Sequence, residues 1–116
     1  MEKKGLTLNE YQQMALETAI YPQEYKVIYP ALGMAGEAGE AGEVADKVKK
    51  IIRDNSSKVS EEKALEIAKE VGDVLWYCAT MTNDLGFDLE TIAQMNYEKL
   101  HSRQQRGKIS GSGDNR

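Results

Sequence analysis

Two acid pairs stand out in this 116-residue chain: Glu37-x-x-Glu40 and Glu70-x-x-Asp73. Each spacing puts two carboxylates one helical turn apart on the same side. Hard oxygen donors in that arrangement suit Mg²⁺ or Mn²⁺. Zinc ligation by cysteine and histidine is excluded, because the chain has one cysteine, Cys78, and one histidine, His101. A di-iron helical bundle needs Glu-x-x-His motifs on two helices, and neither acid pair contains a histidine. Arginine or lysine could instead neutralise the acids as structural ion pairs, or the acids could line a polar seam between subunits. The pattern alone leaves all three readings open.

The elements that must carry these acids read as helices throughout. Apolar residues recur at three and four positions, and the two prolines, Pro22 and Pro30, fall at element ends. Thr7-Leu8-Asn9-Glu10 has capping-box form, predicting a first helix from Thr7 to about Tyr21, stopped by Pro22. The second runs from Pro30 to about Arg53. The third follows an N-cap at Ser60 and ends at Leu85 before Gly86, and the fourth runs from an Asp88 cap to about Arg103. Gly36, Gly39 and Gly42 inside the second helix predict a close approach by another helix or a ligand, since each costs about 1 kcal/mol relative to alanine there. The polar segment 104–116, with Gly107, Gly111 and Gly113, reads by composition as a flexible tail on a single domain spanning 1–103.

Helical phase separates the acids. On the second helix Met34, Val44, Val48 and Ile51 belong to one apolar stripe. Glu37 lies inside that stripe and Glu40 on its border, while Glu43 and Asp46 rotate outward. On the third helix Ile67, Val71, Val74, Cys78 and Met81 form the stripe. Glu70 lies within its arc and Asp73 just outside on the same side. A carboxylate near a core loses hydration and needs a partner, a cation or a proton. On the fourth helix Asn96 and Arg103 share the buried line of Leu89, Ile92 and Leu100, with Lys99 at its border. These donors point toward the acids, either as their ion-pair partners or to hold phosphates.

Composition bounds the partners. Fifteen Lys+Arg against nineteen Asp+Glu give a net charge of −4, so no basic footprint for a nucleic-acid polymer exists, and a phosphate ligand must be met locally. No segment approaches the roughly 18 apolar residues of a membrane span, and no apolar run follows the first lysines. The expectation is a cytoplasmic protein without membrane contact. Long apolar faces in so short a chain predict subunits that complete one another's core.

The strings Gly36-Glu-Ala-Gly-Glu40-Ala-Gly-Glu-Val-Ala-Asp-Lys47, Lys69-Glu70-Val-Gly-Asp73-Val-Leu-Trp-Tyr77 and Asn96-Tyr-Glu-Lys99-Leu resemble the MazG-like, all-α nucleoside triphosphate pyrophosphohydrolases. The likeness covers nearly the whole chain from Leu6. It implies a four-helix, all-α bundle completed as a homodimer or homotetramer. It also implies Mg²⁺ dependence and cleavage of a nucleoside triphosphate between the α- and β-phosphates, in nucleotide-pool house-cleaning. By matching position, Glu37, Glu40, Glu70 and Asp73 are the expected metal ligands. Glu40, with Glu37, is expected to serve the attacking water, and Asn96 and Lys99 to contact the nucleotide. Lys47, Arg103 and Trp76 are further candidates for substrate contact. The tail 104–116 also looks like that of small phage-type members, where it could close as a lid over the phosphates. A non-catalytic, nucleotide-sensing helical oligomer is the competing class.

Overall fold

A computed structural model describes residues 5–54 and 60–116, with the side chains of residues 38–47, 51 and 54 outside the described set. Four α-helices follow one another: α1 (Leu8–Leu16), α2 (Ile28–Asp54), α3 (Glu61–Asp84) and α4 (Leu89–Gln105). No strand occurs among the described residues, so the fold is all-α, as expected.

Local chemistry explains most of the boundaries. The Thr7 hydroxyl accepts from the Glu10 amide at 3.0 Å and the Glu10 carboxylate accepts from the Thr7 amide at 3.3 Å, completing the capping box. Ser60 and Asp88 cap α3 and α4 by accepting from the amides of Lys63 and Thr91. Gly86, at φ 86°, lets the Phe87 amide turn back to the Thr82 carbonyl and Gly86's own amide to Asn83, closing α3 with a Schellman motif. α1 is shorter than expected. From Glu17 to Ala19 each amide bonds three residues back, and the Thr18 hydroxyl donates to the Ala15 carbonyl, so the helix tightens and stops well before Pro22.

The entry to α2 is pinned from α3. Val27 has φ 66°, a strained conformation for a β-branched residue, in a three-residue turn closed by the Ile28 amide on the Lys26 carbonyl at 2.7 Å. One oxygen of Asp84 accepts both the Val27 amide, at 2.9 Å, and the Tyr21 hydroxyl, at 2.8 Å. Burial, reinforced by the Asp84 contact, pushes the Tyr21 hydroxyl up to about 12, so this bond stays made across the neutral range.

α1 is fastened to α3 and α4 by Gln12, which is buried among Ala15, Ala79 and Leu89. Its amide nitrogen donates to the Ala79 and Phe87 carbonyls, both at 3.2 Å, and its oxygen accepts the Leu89 amide at 3.0 Å. A residue of polar type thus sits in the core because three main-chain groups at the α3–α4 junction require it.

α2 packs on α3. The tightest approach is at Gly33, where an added Cβ would run into the Tyr77 ring. The expected glycine contact therefore falls one turn early. Gly36 faces open space, and Gly39 and Gly42 lie outside the described side chains. Much apolar surface on α2 and α3 remains uncovered in one chain: Val71 is 61% exposed, Leu32 69% and Ile52 60%. The radius of gyration, 17.3 Å, exceeds the about 13 Å of a compact chain this long.

Three stability measurements test this packing by chemical denaturation followed at 222 nm. Gln12→Ala, which orphans two carbonyls and an amide, is expected to cost about 2–4 kcal/mol. Gly33→Ala is expected to destabilise by about 1–3 kcal/mol through collision with Tyr77, whereas Gly36→Ala is expected to be neutral or to stabilise by up to about 1 kcal/mol.

Candidate metal centre

The acids meet where α2 crosses α3. Gly33 faces Tyr77, and one turn further along α2 Glu37 faces Glu70 and Asp73, so position numbers rise on one helix as they fall on the other. The two helices therefore run antiparallel there. One carboxylate oxygen from each of Glu37, Glu70 and Asp73 lies within 4.8 Å of the other two.

Like charges at that separation repel by about 3–4 kcal/mol per pair even at an effective dielectric constant near 20. Glu70 Oε2 is buried and receives no hydrogen bond from the described residues. None of the described ion pairs, Lys63–Glu66, Lys99–Asp114 and Arg103–Asp114, includes Glu70 or Asp73. A buried oxygen with no donor, inside a cluster of acids spaced for a single ion, is the environment a hard divalent cation satisfies. These residues fit Mg²⁺ or Mn²⁺.

α2 continues as a helix through Glu40 and Lys47, which keeps Glu40 one turn from Glu37, but both side chains lie outside the described set. Tyr11, which sequence reasoning missed, borders the cluster from α1. Burial, then the negative charge of Asp73, raises its hydroxyl above the ordinary tyrosine range. Only its place on the inner face of α1 could have marked it.

The remaining candidates lie elsewhere. Trp76 donates its indole N–H to the Thr18 hydroxyl at 2.8 Å and meets Tyr77 edge-on, with ring centroids 5.1 Å apart. Its polar atom is thereby engaged in joining α3 to α1. Cys78 packs against the small core, and burial pushes its thiol up. Asn96 and Lys99 line a cleft of about 280 Å³ with Ile92, Met95 and Asp114, and none of the clustered acids lines it. Lys99 and the buried Arg103 are held there by the tail residue Asp114 rather than by the acids they were expected to face.

The tail is folded rather than loose, contrary to its composition. Gly107, Gly111 and Gly113 all have positive φ, and Arg116 donates to the carbonyls of Lys108, Ile109 and Gly113. The segment forms a closed loop beside the last turns of α4. Composition marked the segment only as flexible, and it is the pairing of Arg116 with three carbonyls that makes it one structure.

The family model for the MazG nucleotide pyrophosphohydrolase domain matches residues 31–107, more than half of the chain, and spans both acid pairs and all of α4. The chain is also 45% identical over 112 residues to the "Gene 37 protein" of Mycobacterium phage L5, covering 91% of this chain and 96% of that protein, whose name states no activity. No solved structure matches. With an all-helical fold and an acid cluster inside the matched region, the chain belongs to the MazG nucleotide pyrophosphohydrolase family.

Proposed function

We propose that this protein is a Mg²⁺-dependent nucleoside triphosphate pyrophosphohydrolase that splits its substrate into a nucleoside monophosphate and pyrophosphate, as a house-cleaning activity on the nucleotide pool. The observation that carries the reading is the meeting of Glu37, Glu70 and Asp73, with a buried Glu70 oxygen that no described donor reaches. These three, with Glu40 one turn along α2, would hold the metal. When bound, Mg²⁺ neutralises polyphosphate charge and lowers the pKa of water. Mn²⁺ suits the same donors.

The chain's own residues supply the rest. Glu40, with Glu37 as the alternative, takes the proton of the attacking water as its oxygen bonds to phosphorus and the α–β anhydride bond breaks, and pyrophosphate leaves with the bridging oxygen. Asn96 and Lys99 contact the nucleotide, and Arg103 and Lys47 add positive charge toward its phosphates. Trp76, its indole N–H engaged by Thr18, would offer the substrate its ring rather than a hydrogen bond.

The exposed Val71, Leu32 and Ile52 support assembly as a homodimer or homotetramer. Such an assembly also offers a way to bring α4 of one subunit to the acids of another. No helix among the described residues is long and apolar enough to cross a membrane.

A panel of dNTPs and NTPs, assayed for pyrophosphate release with Mg²⁺, tests the reading. Turnover that EDTA abolishes and Mg²⁺ restores is expected. Tight nucleotide binding with no turnover would favour a sensing oligomer instead. Glu70→Gln and Asp73→Asn are each expected to lower kcat on the order of a hundredfold or more, with the helical signal at 222 nm unchanged. Full rates in both variants would place the site elsewhere.

A further inference from the structure

We propose that Asp114 is a built-in occupant of a phosphate subsite on α4, and that a phosphate-bearing ligand displaces it and frees segment 107–116 as a unit. The proposal rests on the nucleotide role given above to Asn96 and Lys99. One oxygen of Asp114 meets Lys99 Nζ at 2.8 Å, in the cleft that both residues line with Asn96, and an Arg103 guanidinium nitrogen at 3.3 Å, which also donates to the Asp114 main-chain carbonyl. A single oxyanion shared by an ammonium and a guanidinium is the contact a phosphate oxygen makes.

The cationic side of this subsite is built into the fold. The Arg103 side chain is 6% exposed, and among the described residues its buried Nε has no hydrogen-bond partner, so it retains donor capacity that the tail does not use. Asp114, by contrast, is 78% exposed and lies on the side from which a ligand arrives. Lys99, and after it Arg103, hold the Asp114 carboxyl below its usual range, which keeps it anionic at neutral pH. An exposed ion pair is weak and salt-screened, and a phosphate group brings more charge and more acceptor oxygens to the same donors.

The tail is suited to release as a body. Arg116 clasps the carbonyls of Lys108, Ile109 and Gly113 within the segment, whereas the bonds from Arg106 to the Arg116 main-chain oxygen, from Arg103 to the Asp114 carbonyl and from the Lys108 amide to the Arg103 carbonyl tie it to α4 and are the ones release must open. Most of its own shape therefore survives loss of Asp114 from the cleft. Gly107, at φ 69° just beyond α4, is the residue able to absorb the change in direction.

Titration of the full chain with inorganic pyrophosphate, followed by NMR and by hydrogen exchange of 107–116, tests this. Pyrophosphate is expected to shift the Lys99 and Arg103 resonances and to raise exchange in the tail. Asp114→Asn, which removes the competing charge, is expected to bind pyrophosphate about twofold to fivefold tighter. Arg116→Gln, which loosens the loop but keeps the carboxylate, is expected to tighten binding by less. Unchanged or weaker binding to Asp114→Asn, or a tail still protected at saturation, would overturn the proposal. If no nucleotide is turned over yet pyrophosphate still opens the tail, the subsite stands and only the pyrophosphohydrolase reading falls. Turnover with pyrophosphate that leaves Lys99 undisturbed overturns the subsite alone.

Discussion

Holding three carboxylates within 4.8 Å of one another is the constraint to which the rest of the molecule answers. Left alone, that repulsion pushes α2 away from α3. The opposing contacts are close by: Gly33 lets α2 approach the Tyr77 ring, and Asp84 fixes the strained turn at Val27 from which α2 departs. Gln12 and Trp76 then fasten α3 to α1, so the helix that supplies Glu70 and Asp73 has little freedom to retreat. An arrangement that costs Coulomb energy in the folded chain, and that no described cation offsets at Glu70, gains most from a divalent ion.

The same fold leaves its own core unfinished. Ala15, Ala79 and Leu89, with Pro30, are buried among the described residues, whereas Val71, Leu32 and Ile52 meet solvent. Small apolar cores rarely sustain chains of this size alone. Stability and site assembly are therefore linked: a surface that covers the α2–α3 face also dries the surroundings of the acids and strengthens every interaction there.

Local chemistry was legible in the sequence wherever one segment decides its own structure. The capping box at Thr7, the caps at Ser60 and Asp88 and the stop at Gly86 all stand where residue type placed them. Helical phase likewise brought Glu37 toward Glu70 and Asp73. What escaped depends on how helices cross. The close approach is at Gly33 rather than Gly36 because the crossing point is set by the whole α2–α3 surface. No sequence signal singles out Gln12, and only the main-chain groups of α3 and the α3–α4 junction make it a core residue. Arg103 and Lys99 carried the right charge for the acids on α2 and α3, yet they found Asp114, because a turn-rich tail returns along α4 in a way no periodicity encodes.

The most direct test of the account is the location of a bound metal. Anomalous scattering from crystals grown with Mn²⁺ and a non-hydrolysable nucleoside triphosphate is predicted to place a peak among Glu37, Glu70 and Asp73, within bonding distance of Glu70. A lysine or arginine filling that space, with the manganese bound elsewhere, would contradict it.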